Sequence, residues 1–278
     1  MFKRLKRLFG KSSPIINVIR LEGTIASGRG PSAALNARGL ETQLRKAFKK
    51  GTTAVALAIN CPGGSPVQSA LIGSRIRQLA DENHIPVIAF CEDVAASGGY
   101  WLACAADEIY ADENSIIGSI GVIAGSFGAP KALAKLGIER RVYTAGNSKS
   151  TNDPFKPENP KDIAKLKLML AEIHESFKAM VRTRRAGKLK AKEQDLFDGS
   201  FWTGRKALSL GLIDAIGHRD AVLKAKFGDK LDINEMSPTK GFGARLLGMG
   251  SRHALATDFV DAVLTTAETR ALWQRFGL

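Results

Sequence analysis

Residues 95–100, "AASGGY", set the hydroxyl of Ser97 between two alanines and two glycines, just ahead of the apolar run "WLACAA". Small neighbours let another stretch of backbone approach closely, and a helix opening there aims its first N–H groups at the same spot. That is a way to present a nucleophile, whereas a plain helix cap needs only the serine. A second glycine-rich turn, "NCPGGSP" (60–66), closes another apolar stretch. Pro-Gly-Gly strips side chains from the backbone, so its N–H groups can face an oxygen. By itself such a turn is an ordinary loop; beside a bare serine it has the makings of half an oxyanion hole.

A serine nucleophile needs a partner to take its proton. The four histidines are His84 before a strand, His174 within a helix, His218 in the turn "AIGHRD" and His253 in a loose tail. None has a setting like that of Ser97, so Ser–His–Asp is a poor match, with His218 left open. A lysine can serve if burial keeps it neutral: its free pKa of about 10.4 must fall to roughly 7–8, a change of about 4 kcal/mol between protonation states. Residue types alone do not single one out. Cys61 is a second conceivable nucleophile, but nothing marks its thiolate as stabilised, and the proline after it suits a rigid turn wall.

The elements that must position these residues alternate along the chain. "IINVIRLEG" reads as a strand, 35–50 as an amphipathic helix, "TTAVALAIN" as a buried strand, 66–83 as a helix and "IPVIAFCE" as a second buried strand. A helix opens near Ser97. Short strands follow around "EIYA" and "SIIGSIGVI", then a helix over 129–137, a strand over 138–144, a polar loop over 145–159 and a long helix over 160–187. Apolar strands alternating with helices imply a parallel sheet covered on both faces, hence α/β. Both glycine-rich turns then fall at the C-terminal ends of strands, where such sheets collect ligands. A last amphipathic helix near 254–275 carries Leu255, Phe259, Val263 and Leu264 on one side.

With 278 residues the chain can bury a sizeable core. Its 41 Lys+Arg against 27 Asp+Glu give a net charge of +14, which favours anionic partners without naming one. Part of the excess sits in "MFKRLKRLFGK", where Phe2, Leu5, Leu8 and Phe9 recur at helical spacing among cations, the pattern of a short interfacial helix. No secretory h-region follows it and no run is long enough to span a bilayer, so we expect a cytoplasmic chain in peripheral contact with the inner membrane face. Cys61, Cys91 and Cys104 lack metal-type spacing and read as free thiols. Basic and aromatic residues are not interleaved as in nucleic-acid binders, so no nucleic-acid partner is expected. No metal cluster, P-loop or dinucleotide fingerprint occurs, and no cofactor is expected.

"ASGGYWLACAADEIYADENSIIGSIGV", with "INCPGGSP", "AGNSKSTNDPF" and "WTGRKALSLGLIDAIG", resembles the signal peptide peptidase A family, serine peptidases of the S49 group. The likeness runs from about residue 14 to 228. It implies the crotonase-like fold of the caseinolytic proteases, a repeated β-β-α superhelix with a parallel sheet. Here that fold fills a domain over 13–230, between a basic tail (1–12) and a C-terminal helical extension (231–278). The resemblance makes Ser97 the nucleophile, Lys149 of "GNSKSTNDPF" the general base and Ser119 of "GSIGV" the residue that orients the lysine. Oxyanion donors would be the N–H of Gly98 and one from the Pro-Gly-Gly turn, Gly63 or Gly64, with Gly64 favoured. Cys61 departs from the serine that relatives commonly carry there.

A chain with one serine motif and one lysine motif resembles the single-repeat members, homo-oligomers whose active sites are shared between protomers. Their substrates are peptides such as cleaved signal peptides; apolar membrane-derived fragments are the alternative for a chain without an anchor. Two other functions compete. A crotonase-type acyl-CoA enzyme would need carboxylates at the strand ends, where Glu92 and Asp93 are nearest, and a catalytically idle membrane-associated scaffold would not need Ser97, Ser119 and Lys149 intact.

Overall fold

The computed structural model describes residues 13–27, 34–146, 148–236 and 270–278. Its first strand, β1 (Ile15–Glu22), is followed by α1 (Ala37–Ala47), which starts where Asn36 accepts a 2.8 Å hydrogen bond from the Gly39 amide. This helix is shorter than the 35–50 expected, because Leu35 is drawn into a bridge with Ile25. β2 (Ala54–Cys61) is buried at every position but Asn60. α2 (Pro66–Asn83) matches its expected span: Ser65 caps it, Pro66 suits its first turn, and His84 ends it in a left-handed conformation. β3 (Val87–Ala96) leads through Ser97 into α3 (Gly98–Ala103).

After β4 (Glu108–Ala111) and β5 (Ile116–Gly118), the chain leaves the sheet. α4 (Pro130–Lys135) buries none of its residues, whereas α5 (Pro160–Arg184) returns to the body of the molecule through Phe177 and Val181. α6 (Glu193–Leu196), β6 (Phe201–Thr203), α7 (Gly204–Leu210), β7 (Ala215–Ile216), α8 (Arg219–Phe227) and β8 (Asp232–Glu235) complete the order.

The strands form one eight-stranded sheet in the order β6-β5-β3-β2-β1-β8, with β4 pairing β3 and β7 off that path. Every pairing is parallel except β5 with β6. β3 is the branch point. Its first half pairs with β4, from Ile88↔Glu108 to Cys91↔Ala111, and its second half with β5, from Val94↔Ile116 to Ala96↔Gly118. One face packs on α1, α2 and α3 through Leu57, Ile59, Ile72, Ile76 and Leu102; the other meets Leu223 of α8 through Ile16, Val18, Ile88 and Phe90. Coverage on both faces is why these strands read as continuous apolar runs. The sheet takes in β8, past residue 230, and residues 270–278 pack back onto it, burying Phe276 against Val94 and Ala96.

Two expectations fail. "SIIGSIGVI" is a strand only to Gly118, because Ser119 takes φ +52° and turns the chain. No strand forms over 138–144: with Glu139, Arg140 and Arg141 in line, neither face can be buried, and the segment lies in an exposed arm. That arm, roughly 122–159, carries Phe127 at 93% and Tyr143 at 90% exposure. The basic tail (1–12), His253 and the stripe Leu255, Phe259, Val263 and Leu264 lie outside the described residues; of the last expected helix, 270–274 is helical.

Candidate active site

Ser97 sits where β3 ends and α3 begins, with φ +52° and ψ −120°. Such a backbone costs a non-glycine residue about 1–3 kcal/mol and persists only where the surroundings hold it. The Ser97 amide donates to the Gly118 carbonyl at 2.7 Å and the Trp101 amide to the Ser97 carbonyl at 3.0 Å. Although Ser97 occupies the N-cap position, its hydroxyl makes no capping bond. It faces a cavity of about 560 Å³.

The small residues around it have structural causes. A Cβ on Gly99 would run into the Cys61 carbonyl, one on Gly98 would come within 2.5 Å of Ser69 Oγ, and one on Gly63 would meet Ser97 Cβ at 2.8 Å. The two glycine-rich turns are therefore packed backbone to backbone. Gly63 and Gly64 hold φ +110° and +140°, which the turn requires. The two differ in placement: Gly64 lines the cavity with Ser97 and Gly98, and Gly63 is not among its lining residues. Among the described residues, neither the Gly64 nor the Gly98 amide has a hydrogen-bond partner, and both residues line the cavity with Ser97. Two unclaimed donors beside an uncapped hydroxyl can stabilise negative charge on an oxygen bound there.

Ser119 also lines the cavity, buried and at φ +52°. Trp101 and Phe177, stacked at 4.7 Å, form an apolar wall with Ile123 and Ile173. Residues missed from the sequence join them. Leu272 and Arg275 arrive from the C-terminal end of the chain. Asp198 is there too, its carboxylate accepting from the Ser200 amide at 2.8 Å and hydroxyl at 2.9 Å. His174 is the most informative. Its Nε2 lies 3.0 Å from the Ile120 carbonyl oxygen, an acceptor only, so Nε2 carries the proton and cannot take one from Ser97.

Other candidates fall elsewhere. Lys149 is exposed on the arm and is not among the residues lining the cavity. His218 is 3.4 Å from Asp112 in a separate depression, and His84 caps α2. Cys61 is buried, and burial pushes its thiol up to about 12, which removes it as a nucleophile. Glu92 is paired with Arg20 at 2.7 Å and Asp93 accepts from Asn60, both outside the Ser97 cavity. Among the described residues no group of three or more His, Cys, Asp or Glu could hold a metal ion.

Comparison with known proteins places this arrangement. The profile of Peptidase family S49 matches residues 80–231. A putative protease of Synechocystis (slr0021) is 31% identical over 87% of each chain, and the chloroplastic serine protease SPPA of Arabidopsis thaliana is 32% identical over 85% of this chain and 36% of its own length. A Brucella abortus protein named Na(+)/H(+) antiporter NhaA is 48% identical over this whole chain, which spans only 39% of that protein. No helix of the described residues is long and apolar enough to cross a membrane. Among solved structures, the 1510-N membrane-bound stomatin-specific protease in complex with a substrate peptide aligns with TM-score 0.53 at 17% identity, over 82% of this chain and 94% of that one. The shared fold is the α/β one expected, with the serine turn inside the matched segment and the Pro-Gly-Gly turn facing it. The chain belongs to peptidase family S49.

Proposed function

We propose that the chain is a serine endopeptidase in which Ser97 attacks a peptide carbonyl and Lys149 of a neighbouring copy moves the proton. One observation carries the reading: an uncapped serine hydroxyl, on a strained strand-to-helix turn, shares a cavity with the unclaimed amides of Gly64 and Gly98. The oxyanion formed on attack is received by those two N–H groups, and water then releases the acyl-enzyme. Ser119, on the same cavity wall, orients the lysine. Apolar walls from Trp101, Phe177, Ile123 and Ile173 favour apolar side chains, as in spent signal peptides or membrane-derived fragments.

Among the described residues the cavity of a single copy holds no lysine, so in this reading the lysine comes from a second copy. Among the described residues His174 is the one histidine at the cavity and its Nε2 is given to the Ile120 carbonyl, while Lys149 stands on an arm whose Phe127, Ile138 and Tyr143 are uncovered. Packing those arms against neighbours buries apolar surface and removes water from the lysine, which a lysine base requires. The basic tail holds the assembly at anionic lipid on the cytoplasmic side; flotation with anionic liposomes should be lost on deleting residues 1–12, and equal flotation of both forms refutes that attachment.

A fluorophosphonate probe tests the chemistry. Wild type should be labelled at Ser97 and should cleave an apolar peptide library without cofactor, while S97A and K149A should do neither. An unlabelled wild type points to an acyl-CoA enzyme or an idle scaffold instead.

A further inference from the structure

We infer that His174 is a positioning residue: by donating from Nε2 to the Ile120 carbonyl it holds the left-handed turn at Ser119 in the geometry that catalysis needs. The inference rests on the peptidase reading above and extends it to a residue outside the motifs. Ser119 is one of four non-glycine residues at positive φ among those described, and it lies on the cavity wall. One left-handed non-glycine residue costs about as much as one or two hydrogen bonds contribute, so the turn needs several restraints. Three are present. The Ser119 amide donates to the Ser200 carbonyl at 2.7 Å, the Gly121 amide donates back to the Ser119 carbonyl at 2.9 Å, and His174 holds the Ile120 carbonyl between them at 3.0 Å. Only the third uses a side chain, and it is the only one that ties the turn to a helix.

That helix is registered against the nucleophile. Phe177, one turn on from His174, stacks on Trp101 of α3, and Arg184 donates to the carbonyls of Cys104 at 2.8 Å and Ala106 at 2.9 Å. A load path thus runs from α3, which opens on Ser97, through α5 and the His174 ring to Ile120 and so to Ser119. The Ser97 amide closes the loop on the Gly118 carbonyl at 2.7 Å. Losing the imidazole leaves the Ile120 carbonyl without that donor and frees the turn to relax. The apolar walls from Trp101, Phe177, Ile123 and Ile173 stay in place, so the loss falls mainly on turnover.

Glutamine and asparagine separate this role from bulk packing. Gln places its amide nitrogen near the position of imidazole Nε2, whereas Asn is too short to reach Ile120. In the full chain, H174A and H174N should lower kcat by about tenfold with KM changed less than about twofold, and H174Q should recover most of the loss. Amide hydrogen exchange at Gly121 should quicken in H174A and H174N but not in H174Q. H174N covers the case in which H174A fails to fold. Wild-type kcat in H174A or H174N, or H174Q no better than H174N, overturns the inference while leaving the peptidase intact. A wild type that neither hydrolyses peptides nor takes a fluorophosphonate sinks the peptidase reading, and the positioning role with it.

Discussion

Replacing Gly99 by alanine tests how the serine is presented. The Gly99 backbone lies against β2: an added Cβ would overlap the Cys61 carbonyl oxygen and stand 3.0 Å from its carbon and 3.1 Å from Cys61 Cβ. All three atoms belong to the strand end that carries the Pro-Gly-Gly turn, so no flexible side chain can yield. Relief requires α3 and β2 to part by about 1 Å, and overpacking of this kind costs about 1–3 kcal/mol. The same parting moves Gly98 away from Gly64 and spoils the pair of oxyanion donors; a 1 Å misplacement near reacting atoms costs about 10²-fold in rate. G99A should therefore unfold about 2–3 kcal/mol more easily in urea and label with fluorophosphonate about a hundredfold more slowly. Gly125 is the control, since nothing lies within 4 Å of its added Cβ and its φ is not positive; G125A should differ from wild type by less than about 0.5 kcal/mol. A G99A protein with wild-type stability and labelling rate would refute the close packing of the two turns.

Three further outcomes follow from buried groups. Burial pushes the thiols of Cys61, Cys91 and Cys104 upward, to about 12 for Cys61 and Cys104, so the native protein at pH 8 should react with no Ellman's reagent and the unfolded one with three equivalents; a native equivalent at Cys61 would contradict this. Arg185, buried beneath Gly211, donates to Asp214 at 2.7 Å, and D214N should destabilise the fold by about 3 kcal/mol, because breaking a buried pair strands its partner. Burial works against ionisation of Asp214, but hydrogen bonds from Arg185 and Lys188 outweigh it and hold the carboxyl below its ordinary value. Its contribution is thus present above the ordinary carboxylate range and lost as pH falls through the lowered value; D214N should flatten that part of the acid-unfolding curve, and an unchanged curve refutes the pairing.

The parts of the fold legible in the sequence were those whose cause is local. β2 showed as an apolar run because it is covered on both faces, and α2 showed its start through Ser65 and Pro66. The exposed arm did not, since "IERRVYT" has the β-branched and aromatic residues of a strand but no strand to pair with among the described residues. The short edge strand β8, "DINE", has no apolar alternation and exists because β1 offers it an edge. At the site, Ser97 and the two glycine turns were readable because close backbone packing demands small residues in sequence. His174 was not, for its partner Ile120 is 54 positions away and a helical periodicity says nothing about which carbonyl a side chain meets. Telling Gly63 from Gly64 likewise needed the fold, which puts Gly64, and not Gly63, on the wall of the Ser97 cavity.

Co-expressing S97A and K149A chains probes the shared active site most directly. Each variant by itself lacks one half of the dyad. If serine and lysine meet across neighbouring copies, random mixing in a cyclic assembly pairs an intact Ser97 with an intact Lys149 at about a quarter of the contacts. The account predicts recovery of peptide cleavage toward that fraction in the mixed assembly. No recovery in mixed assemblies, or full cleavage by K149A chains alone, would contradict it.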